Sequence, residues 1–362
     1  MPGTSEAIHT LYKSRGDSEA PRGYIGASSI GEECLRALWY RFRWVEREDI
    51  PGRIHRLFQT GHREEDRVLQ DLRDLGIEIV DRDPKTGKQF RAQALDGHFS
   101  GGLDGVGRGF TERPDTWMLI EVKTSNSKSF RKLQLEGCYK AKPIHYAQMQ
   151  MYMEFEDLDF AMYICVSKET DDIYCEVVSR KFEVYEHMME KAEMVLSSNK
   201  PFSKISKDPD LPPCGWCSFN EVCHRQKQPE MNCRTCVHAT PVRGGEPAEW
   251  RCEFHKVSLS LDDQAEGCDQ HLFIPDLIGF ALPIGGQSEW ITYAIKRKNG
   301  EPIKFANGST DAKSAIKKMP VLTSREIACL PRYSDQIIKI IEAMDVFGGG
   351  KIMQVDEDDI PF

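Results

Sequence analysis

The chain has 362 residues, which at roughly 100–200 residues per domain predicts two domains with small appendages. Its net charge of −9 argues against a surface that coats nucleic acid throughout, and its 40% apolar content is typical of a globular protein. Because no run of ~18 apolar residues is present and MPGTSEAIHTLYKSRGD lacks an apolar signal core, we expect no membrane span and a cytoplasmic protein.

Two basic stretches could still bind phosphates, because local charge decides such contacts. The first lies in residues 36–67 and contains Arg36, Arg41, Arg43, Arg47, Arg53, Arg56, Arg63 and Arg67. The second lies in residues 123–142 and contains Lys123, Lys128, Arg131, Lys132, Lys140 and Lys142. We therefore expect a basic groove on an otherwise acidic protein.

The first half of the chain predicts helices and then strands. Residues 28–45 and 57–75 are predicted helices, and the second is expected to begin near the turn Gln59-Thr60-Gly61. Residues 98–107 predict a Gly-rich strand and turn. The apolar run at residues 117–123 is typical of a buried strand.

Further elements follow at short intervals. Residues 143–156 predict a helix that opens on Pro143. Residues 160–167 and 173–178 predict strands, and residues 182–197 predict a helix. This order favours an α/β core with a central mixed sheet flanked by helices.

The strongest chemical pattern is Asp104 followed by Glu121 and Lys123. Glu121 and Lys123 are two apart on one strand, so their side chains share a face. Two carboxylates can hold Mg²⁺ or Mn²⁺, which activates water, while a lysine stabilises developing charge. The alternative is a solvated Glu/Lys pair, which is common by chance, although charged groups on an apolar strand require a reason.

Side chains before this pattern could complete a metal site. His62 and Glu65 are three apart on a predicted helix and share a face, so either could be a further ligand. Glu64 and Asp66 are better explained as a solvated helix face.

Side chains after the pattern could contact the substrate. Gln148 and Tyr152 are four apart on a predicted helix and could bind phosphate or orient the lysine, although such a pair is usually only surface. The polar and basic run at residues 124–131 suits a DNA backbone.

In this order, GHREE, GGLDG, EVKTS and QMQMY resemble the motifs of RecB-type nucleases of the PD-(D/E)XK superfamily, over roughly residues 25–225. The resemblance implies a restriction-endonuclease-like fold and phosphodiester hydrolysis. It implies His62 as the helix ligand, with Glu65 as competitor, and Asp104 and Glu121 as paired carboxylates. It further implies these site residues: Val122 as part of the metal site, Lys123 as catalytic lysine, and Gln148 with Tyr152 as the QxxxY motif.

Cys214, Cys217 and Cys223 form a C-x2-C-x5-C cluster one ligand short of four, and Cys34 could supply the fourth. The alternative is zinc bound by the triplet with His224, leaving Cys34 as a core thiol. The cysteine arrangement resembles that of AddB-type and CRISPR-adaptation nucleases, although Leu35 stands where a Pro is usual. That resemblance implies a [4Fe–4S] cluster.

A second cysteine set predicts structural zinc. One CxxC followed by two later ligands is a zinc pattern, and the region is too short for much apolar core. The favoured ligands are four cysteines, with His255 and His271 as alternates: Cys233, Cys236, Cys252 and Cys268. Four isolated cysteines in apolar surroundings are predicted core residues: Cys138, Cys165, Cys175 and Cys329.

Residues 277–345 predict a small α+β region with a hairpin turning at Asn299-Gly300, followed by a Gly-rich hinge at residues 348–350. The acidic end resembles the C-terminal tip of bacterial single-stranded-DNA-binding proteins, which implies docking onto repair or replication proteins. A solvated tail and a DNA mimic that folds back into the basic groove are alternatives. The tail residues are Asp356, Glu357, Asp358, Asp359, Ile360, Pro361 and Phe362.

We therefore expect four parts: a nuclease domain at residues 1–230, a zinc module at 231–276, an α+β region at 277–347 and a tail at 348–362. The expected activity is metal-dependent deoxyribonuclease action, favouring an exonuclease on single-stranded or end-frayed DNA. End processing in recombination or repair, in a bacterial or phage context, fits this activity. A structure-specific endonuclease and a catalytically silent Fe–S/zinc adaptor are the alternatives.

Overall fold

The computed structural model describes residues 3–297, 300–316, 319–332 and 334–346. The described residues fall into two compact units. Unit 1 comprises the described part of Met1–Leu38, Asp49–Ser197 and Arg243–Ala248. Unit 2 comprises Trp39–Glu48, Ser198–Val242 and the described part of Glu249–Phe362. The boundaries of the four parts expected from the sequence remain a prediction.

Unit 1 contains most of the predicted α/β elements. Its helices and strands, with α2 running on into unit 2, are α1 Thr4–Asp17, β1 Ile25–Gly26, α2 Leu35–Phe42, α3 Gly52–Asp74, β2 Glu78–Val80, β3 Arg91–Ala94, β4 Phe99–Gly102, β5 Gly105–Arg108, β6 Met118–Ser125, α4 Ser127–Ala141, α5 Pro143–Phe155, β7 Phe160–Ser167, β8 Ile173–Ser179 and α6 Phe182–Ser197.

Two sheets organise this unit. The larger has the order β2-β5-β6-β7-β8, in which β6 and β7 are parallel and the other neighbours are antiparallel. The smaller has the order β1-β4-β3. A mixed sheet with helices packed against it confirms the predicted α/β class.

On strand β6 of the larger sheet, one face packs apolar side chains against α3, and the other face carries Glu121 and Lys123. Val68 and Leu69 of α3 lie in one buried cluster with residues of β6 and β7, including Met118, Ile120 and Val122. Side chains alternate along a strand, so Glu121 and Lys123 project from the opposite face. Helices α4 and α5 contact β6 and β7. The candidate site therefore lies between the sheet and these two helices.

The predicted strand at 117–123, the helix opened by Pro143, both following strands and the helix at 182–197 are confirmed by β6, α5, β7, β8 and α6. The predicted helix at 28–45 is wrong in extent, because α2 spans only Leu35–Phe42. A Cβ at Gly31 would lie 2.7 Å from the Ile144 Cα, so turns before α2 pack directly on the α5 backbone.

The second predicted helix begins earlier than the sequence indicated. Helix α3 starts at Gly52, after Pro51 at its N-cap, and runs through the expected turn at Gly61. A Cβ at Gly52 would overlap the His9 carbonyl oxygen, so this glycine allows α3 to pack closely on α1. A Cβ at Gly61 would meet nothing within 4 Å, so this glycine has no packing role.

Unit 2 contains short elements. Its remaining helices and strands are α7 Asn220–His224, β9 Ala239–Pro241, β10 Trp250–Cys252, β11 Val257–Leu259, α8 Leu261–Glu266, β12 Leu282–Gly286, β13 Trp290–Ile295, β14 Ile303–Gly308, α9 Thr310–Ala315, β15 Val321–Leu322, α10 Ser324–Ala328 and α11 Ser334–Val346. Three-residue 3₁₀ turns lie at Cys214–Trp216, Cys233–Thr235 and Pro275–Leu277.

Two further sheets lie in unit 2, with the orders β11-β10-β9 and β12-β13-β14-β15. The predicted hairpin is confirmed by the antiparallel pairing of β13 with β14. Asn299 of its turn, the hinge at residues 348–350 and the acidic tail lie outside the described residues. In the described ranges no helix has both the length and the apolarity to cross a membrane.

Two of the four cysteines predicted to be core residues are exposed. Cys138 and Cys165 are fully buried, as predicted. Cys175 and Cys329 are exposed, so the prediction is wrong for them. Cys175 lies on the edge strand β8, where alternate side chains point outward, and Cys329 is the C-cap of α10.

Candidate active site and cysteine pocket

Asp104 and Glu121 meet at the antiparallel β5–β6 pair. Asp104 precedes β5, and its Oδ2 accepts a hydrogen bond from the Val122 backbone N–H at 2.8 Å. Asp104 is 9% exposed and Glu121 is 0% exposed. The chain thus places two carboxylates where burial makes charge costly unless a cation compensates it.

Lys123 supplies part of this compensation. Its ammonium forms an ion pair with Glu121 Oε1 and donates to the Val122 carbonyl at 3.3 Å. Glu121 Oε2 is buried and lacks a hydrogen-bond partner in the part of the chain that the structure describes. A buried carboxylate oxygen in this state is a natural position for a divalent cation.

A third carboxylate approaches this pair from α3. Burial, reinforced by the neighbouring Asp104, raises the pKa of Glu65 to about 7. Burial, opposed by Lys123 and reinforced by Asp104 and Glu65, also raises the pKa of Glu121 to about 8. Burial lowers the pKa of Lys123, but Glu121 and Asp104 outweigh it and raise the pKa above its usual value. The three carboxylates therefore repel one another.

The two candidate ligands on α3 lie in different surroundings. Glu65 is half-buried and within electrostatic range of Asp104, whereas His62 is exposed. Glu64 pairs with Arg67 at 2.6 Å, and Asp66 is exposed. The geometry favours Glu65 over His62, although a ligand on α3 stays a prediction.

Gln148 and Tyr152 lie side by side on α5. The Gln148 Nε2 donates to the Tyr152 hydroxyl at 3.4 Å, and both side chains are buried. Burial raises the pKa of Tyr152, with a further increase from Glu121. The structure thus brings this pair into electrostatic contact with Glu121.

Because Gly101 on β4 has no side chain, the Tyr152 hydroxyl has space to lie against it. A Cβ at Gly101 would overlap that hydroxyl and lie 2.8 Å from the Ala27 Cβ. We expect Gly101→Ala to lower the free energy of unfolding by about 1–3 kcal/mol through overpacking. Gly61→Ala, inside α3 with open space around it, is the matched control. We expect that control to be stabilising by about 0.5–1 kcal/mol, measured by urea denaturation. Equal stability of the two variants would contradict this account.

Two site residues were not identified from the sequence. His145 Nδ1 lies 2.8 Å from the Tyr163 hydroxyl. Burial, reinforced by Lys123, lowers the pKa of His145 to about 3, so the imidazole is neutral. Tyr163 is the register partner of Glu121 across the β6–β7 pair. His145 stands at helical spacing with Gln148 and Tyr152, and this spacing could have identified it from the sequence. Tyr163 has no such signal, because its position in the site depends on the register of β6 with β7.

The four predicted zinc cysteines line one pocket in unit 2. Three histidines line it as well, so it is rich in metal-binding groups: Cys233, Cys236, Cys252 and Cys268 with His238, His255 and His271. Burial, reinforced by the other three thiols, raises the pKa of Cys233 to about 12. The four thiols are therefore mutual neighbours.

Backbone amides point at two of these sulfurs. Cys236 Sγ accepts from the His238 and Leu272 N–H groups at 3.5 Å each, and Cys252 Sγ accepts from the His255 N–H at 3.4 Å. Such N–H···S hydrogen bonds stabilise a thiolate.

The two histidines predicted as alternate zinc ligands have different neighbours. His255 Nε2 lies 3.6 Å from Cys268 Sγ, whereas His271 Nε2 already contacts the Asn232 carbonyl at 2.9 Å. The four cysteines form the more complete ligand set, and His255 is the nearer alternate.

A buried arginine braces the Cys233–Cys236 turn. Arg234 is 0% exposed, donates to the Phe42 carbonyl and to Gln264 Oε1 at 2.8 Å each, and lies 3.9 Å from the Trp44 ring centroid. Because these partners satisfy a charge that burial would otherwise penalise, the turn holds its cysteines in a fixed position.

Of the four cysteines predicted for iron–sulfur binding, Cys34 lies in unit 1, and Cys214, Cys217 and Cys223 lie in unit 2. Cys34 is half-buried, and its carbonyl accepts from the Ala37 N–H at 3.1 Å at the start of α2. Cys214 and Cys217 flank a 3₁₀ turn closed by the Cys217 N–H at 3.0 Å from the Cys214 carbonyl, and Cys223 lies on α7.

Across the described ranges, no group of three or more His, Cys, Asp or Glu side chains already stands at distances that would hold a metal ion.

No family model matches this chain, and no curated protein does. An alkaline exonuclease from Laribacter hongkongensis is 15% identical, with a TM-score of 0.36 over 52% of this chain and 91% of its own. A phage-related exonuclease from Haemophilus somnus 129PT is 17% identical, with a TM-score of 0.33 over 48% of this chain and 91% of its own. These TM-scores lie below 0.5, so they establish neither fold nor function.

Proposed function

We propose that the chain is a metal-dependent DNA nuclease of the PD-(D/E)XK class. The observation that carries the proposal is the unpartnered oxygen of fully buried Glu121, beside Asp104 and the Lys123 ammonium. Buried charge of this kind is costly, and such groups cluster at functional sites. The order of the motifs from GHREE to QMQMY, which resembles that of RecB-type nucleases, adds a second line of support.

Asp104, Glu121 and Glu65 would hold Mg²⁺ or Mn²⁺, with Val122 contributing to the metal site through its position between Glu121 and Lys123. When bound, the cation would polarise the phosphate and lower the pKa of its water. Lys123 would stabilise negative charge that develops on the phosphate. Gln148 and Tyr152 would orient Lys123; the support for this role is that Tyr152 lies within electrostatic range of Lys123.

His145 on α5 and Tyr163 on β7 contact each other beside Glu121 and support this arrangement. Their hydrogen bond satisfies two buried polar groups next to the strand that carries Glu121. The neutral imidazole adds no positive charge that would compete with a cation. We therefore assign both to positioning the strand and helix around Glu121.

We favour exonuclease action on single-stranded or end-frayed DNA, and a structure-specific endonuclease is the alternative. We expect the wild-type protein with Mn²⁺ to degrade linear single-stranded DNA and to leave the circular form of the same sequence intact, because only the linear form has ends. Agarose gels of both substrates over time provide the measurement. Equal loss of linear and circular DNA would contradict the exonuclease proposal and support the endonuclease alternative.

We also propose a structural zinc ion in the cysteine pocket. The support is four neighbouring thiols in one pocket, of which two accept backbone hydrogen bonds. The three strands beside the pocket have only three residues each, so a metal would supply folding energy there.

The [4Fe–4S] cluster at Cys34, Cys214, Cys217 and Cys223 stays a proposal that rests on the motif. Docking of repair or replication proteins by the acidic tail rests on its sequence alone, as do roles in end processing, recombination or repair.

A further inference from the structure

Helix α4 contains a break that a side chain from the sheet holds in place. Gly137 has φ 73° and ψ 169°, a left-handed conformation that glycine adopts without strain. The Glu176 carboxylate of β8 accepts the Cys138 N–H at 2.7 Å and the Tyr174 hydroxyl at 2.8 Å. Glu176 thereby caps the resumed helix, and the fully buried Cys138 anchors it to the core.

Around this break, two large apolar side chains face solvent. Leu135 is 81% exposed and Tyr139 is 63% exposed. Tyr139 also packs edge-to-face on Tyr146, with ring centroids 5.0 Å apart and an interplanar angle of 72°. The Tyr139 ring is therefore held in place by one neighbour and remains open to another flat partner.

Basic side chains outnumber acidic ones in the stretch of α4 that contains these two residues. The stretch from 127 to 142 has Glu136 as its single acid, which pairs with Lys132 at 3.7 Å. Exposed or half-buried cations occupy five positions in the same stretch: Lys128, Arg131, Lys132, Lys140 and Lys142. In a chain of net charge −9, this local excess of positive charge favours a polyanion as the occupant.

The break lies close to the proposed catalytic groups. Helix α4 begins four residues after Lys123. The buried Cys138 lies within electrostatic range of Glu121, which is among the charges that raise the pKa of its thiol. A strand bound along α4 would therefore lie within a short distance of the carboxylates.

We propose that the α4 surface around Gly137, formed by Leu135, Tyr139 and the flanking cations, binds unpaired bases of single-stranded DNA next to the active site. Every base offers a flat face to an aromatic ring, so stacking on Tyr139 requires no particular sequence. Phosphates would contact the surrounding lysines and Arg131. Paired bases in a duplex are already stacked, so the surface selects single strands. This inference rests on the proposed nuclease function for its biological meaning.

Fluorescence anisotropy of full-length protein with labelled oligothymidylate, without added divalent metal, tests the inference. We expect Tyr139→Ser to weaken binding by about fivefold or more, the lower limit for one stacked base. Tyr139→Phe should bind like wild type, because the ring is kept. Affinity for a blunt DNA duplex of the same length should be unchanged in both variants.

Leu75→Ser is the matched control, since Leu75 is 78% exposed at the end of α3, away from the α4 break. We expect its oligothymidylate affinity to equal that of wild type. Unchanged affinity in Tyr139→Ser, or an equal loss for single strands and duplex, would overturn the inference. If wild type cleaves no DNA with Mg²⁺ or Mn²⁺ but Tyr139→Ser still loses affinity, the proposed function fails and the binding surface stands.

Discussion

Asp104→Asn should reduce metal-dependent DNA cleavage by about a thousandfold or more and leave the fold intact. The cleavage loss follows because a bound cation contributes several kcal/mol of transition-state stabilisation, and about 4 kcal/mol corresponds to a thousandfold. Asparagine keeps an oxygen that can accept the Val122 N–H, now at 2.8 Å from Oδ2, so the β5–β6 pair persists. Initial rates on linear single-stranded DNA and thermal melting by circular dichroism measure the two effects.

Asp115→Asn is the matched control, because Asp115 is exposed and lies in the loop between β5 and β6. We expect this variant to cleave at the wild-type rate. Comparable activity of Asp104→Asn and Asp115→Asn would contradict a role for Asp104 in metal binding. The comparison requires that Asp104→Asn still melts in a cooperative transition. We expect one, because asparagine can keep the hydrogen bond from the Val122 N–H.

Cys236→Ser should abolish binding of the proposed zinc ion and unfold the part of unit 2 around the cysteine pocket. Cys236 is 6% exposed, and its sulfur accepts two backbone hydrogen bonds, so its loss removes a ligand that the backbone orients. Structural zinc binds zinc-finger peptides with about 10–16 kcal/mol, comparable to a whole domain's stability of about 5–15 kcal/mol. Elemental analysis of purified protein and differential scanning calorimetry give the readouts.

Cys329→Ser controls for the loss of a thiol, because Cys329 is exposed in the same unit and caps α10 outside the pocket. We expect it to retain zinc and to melt like wild type. Wild-type protein without zinc, or equal zinc content in Cys236→Ser and wild type, would contradict the zinc proposal.

The strand that carries Glu121 and Lys123 could be predicted because both of its signals are local. An apolar run defines β6, and two charged residues at a spacing of two must share a face whatever the rest of the chain does. Likewise, Pro143 fixes the first turn of α5 and places Gln148 and Tyr152 one turn apart.

The parts that could not be predicted depend on contacts between distant residues. Tyr163 joins the site only through the register of β6 with β7, which the sequence of either strand does not define. Helix α4 was missed because Gly137 interrupts its pattern, and the break is held by Glu176 from a later strand. The start of α3 was misplaced because Gly61 looks like a turn signal, while the close contact that matters is at Gly52.

The most direct test of the proposed active site is cleavage of an end-labelled linear oligonucleotide by wild type and Glu121→Gln. Each protein is assayed with Mn²⁺ and with EDTA. Wild type with Mn²⁺ is expected to release labelled nucleotides. Glu121→Gln with Mn²⁺ is expected to release none, because the amide removes the buried charge that would hold the cation. Neither protein is expected to cleave in EDTA, because EDTA removes the metal. A Glu121→Gln variant that cleaves at the wild-type rate, or a wild-type protein that does not cleave with either Mg²⁺ or Mn²⁺, would contradict the account.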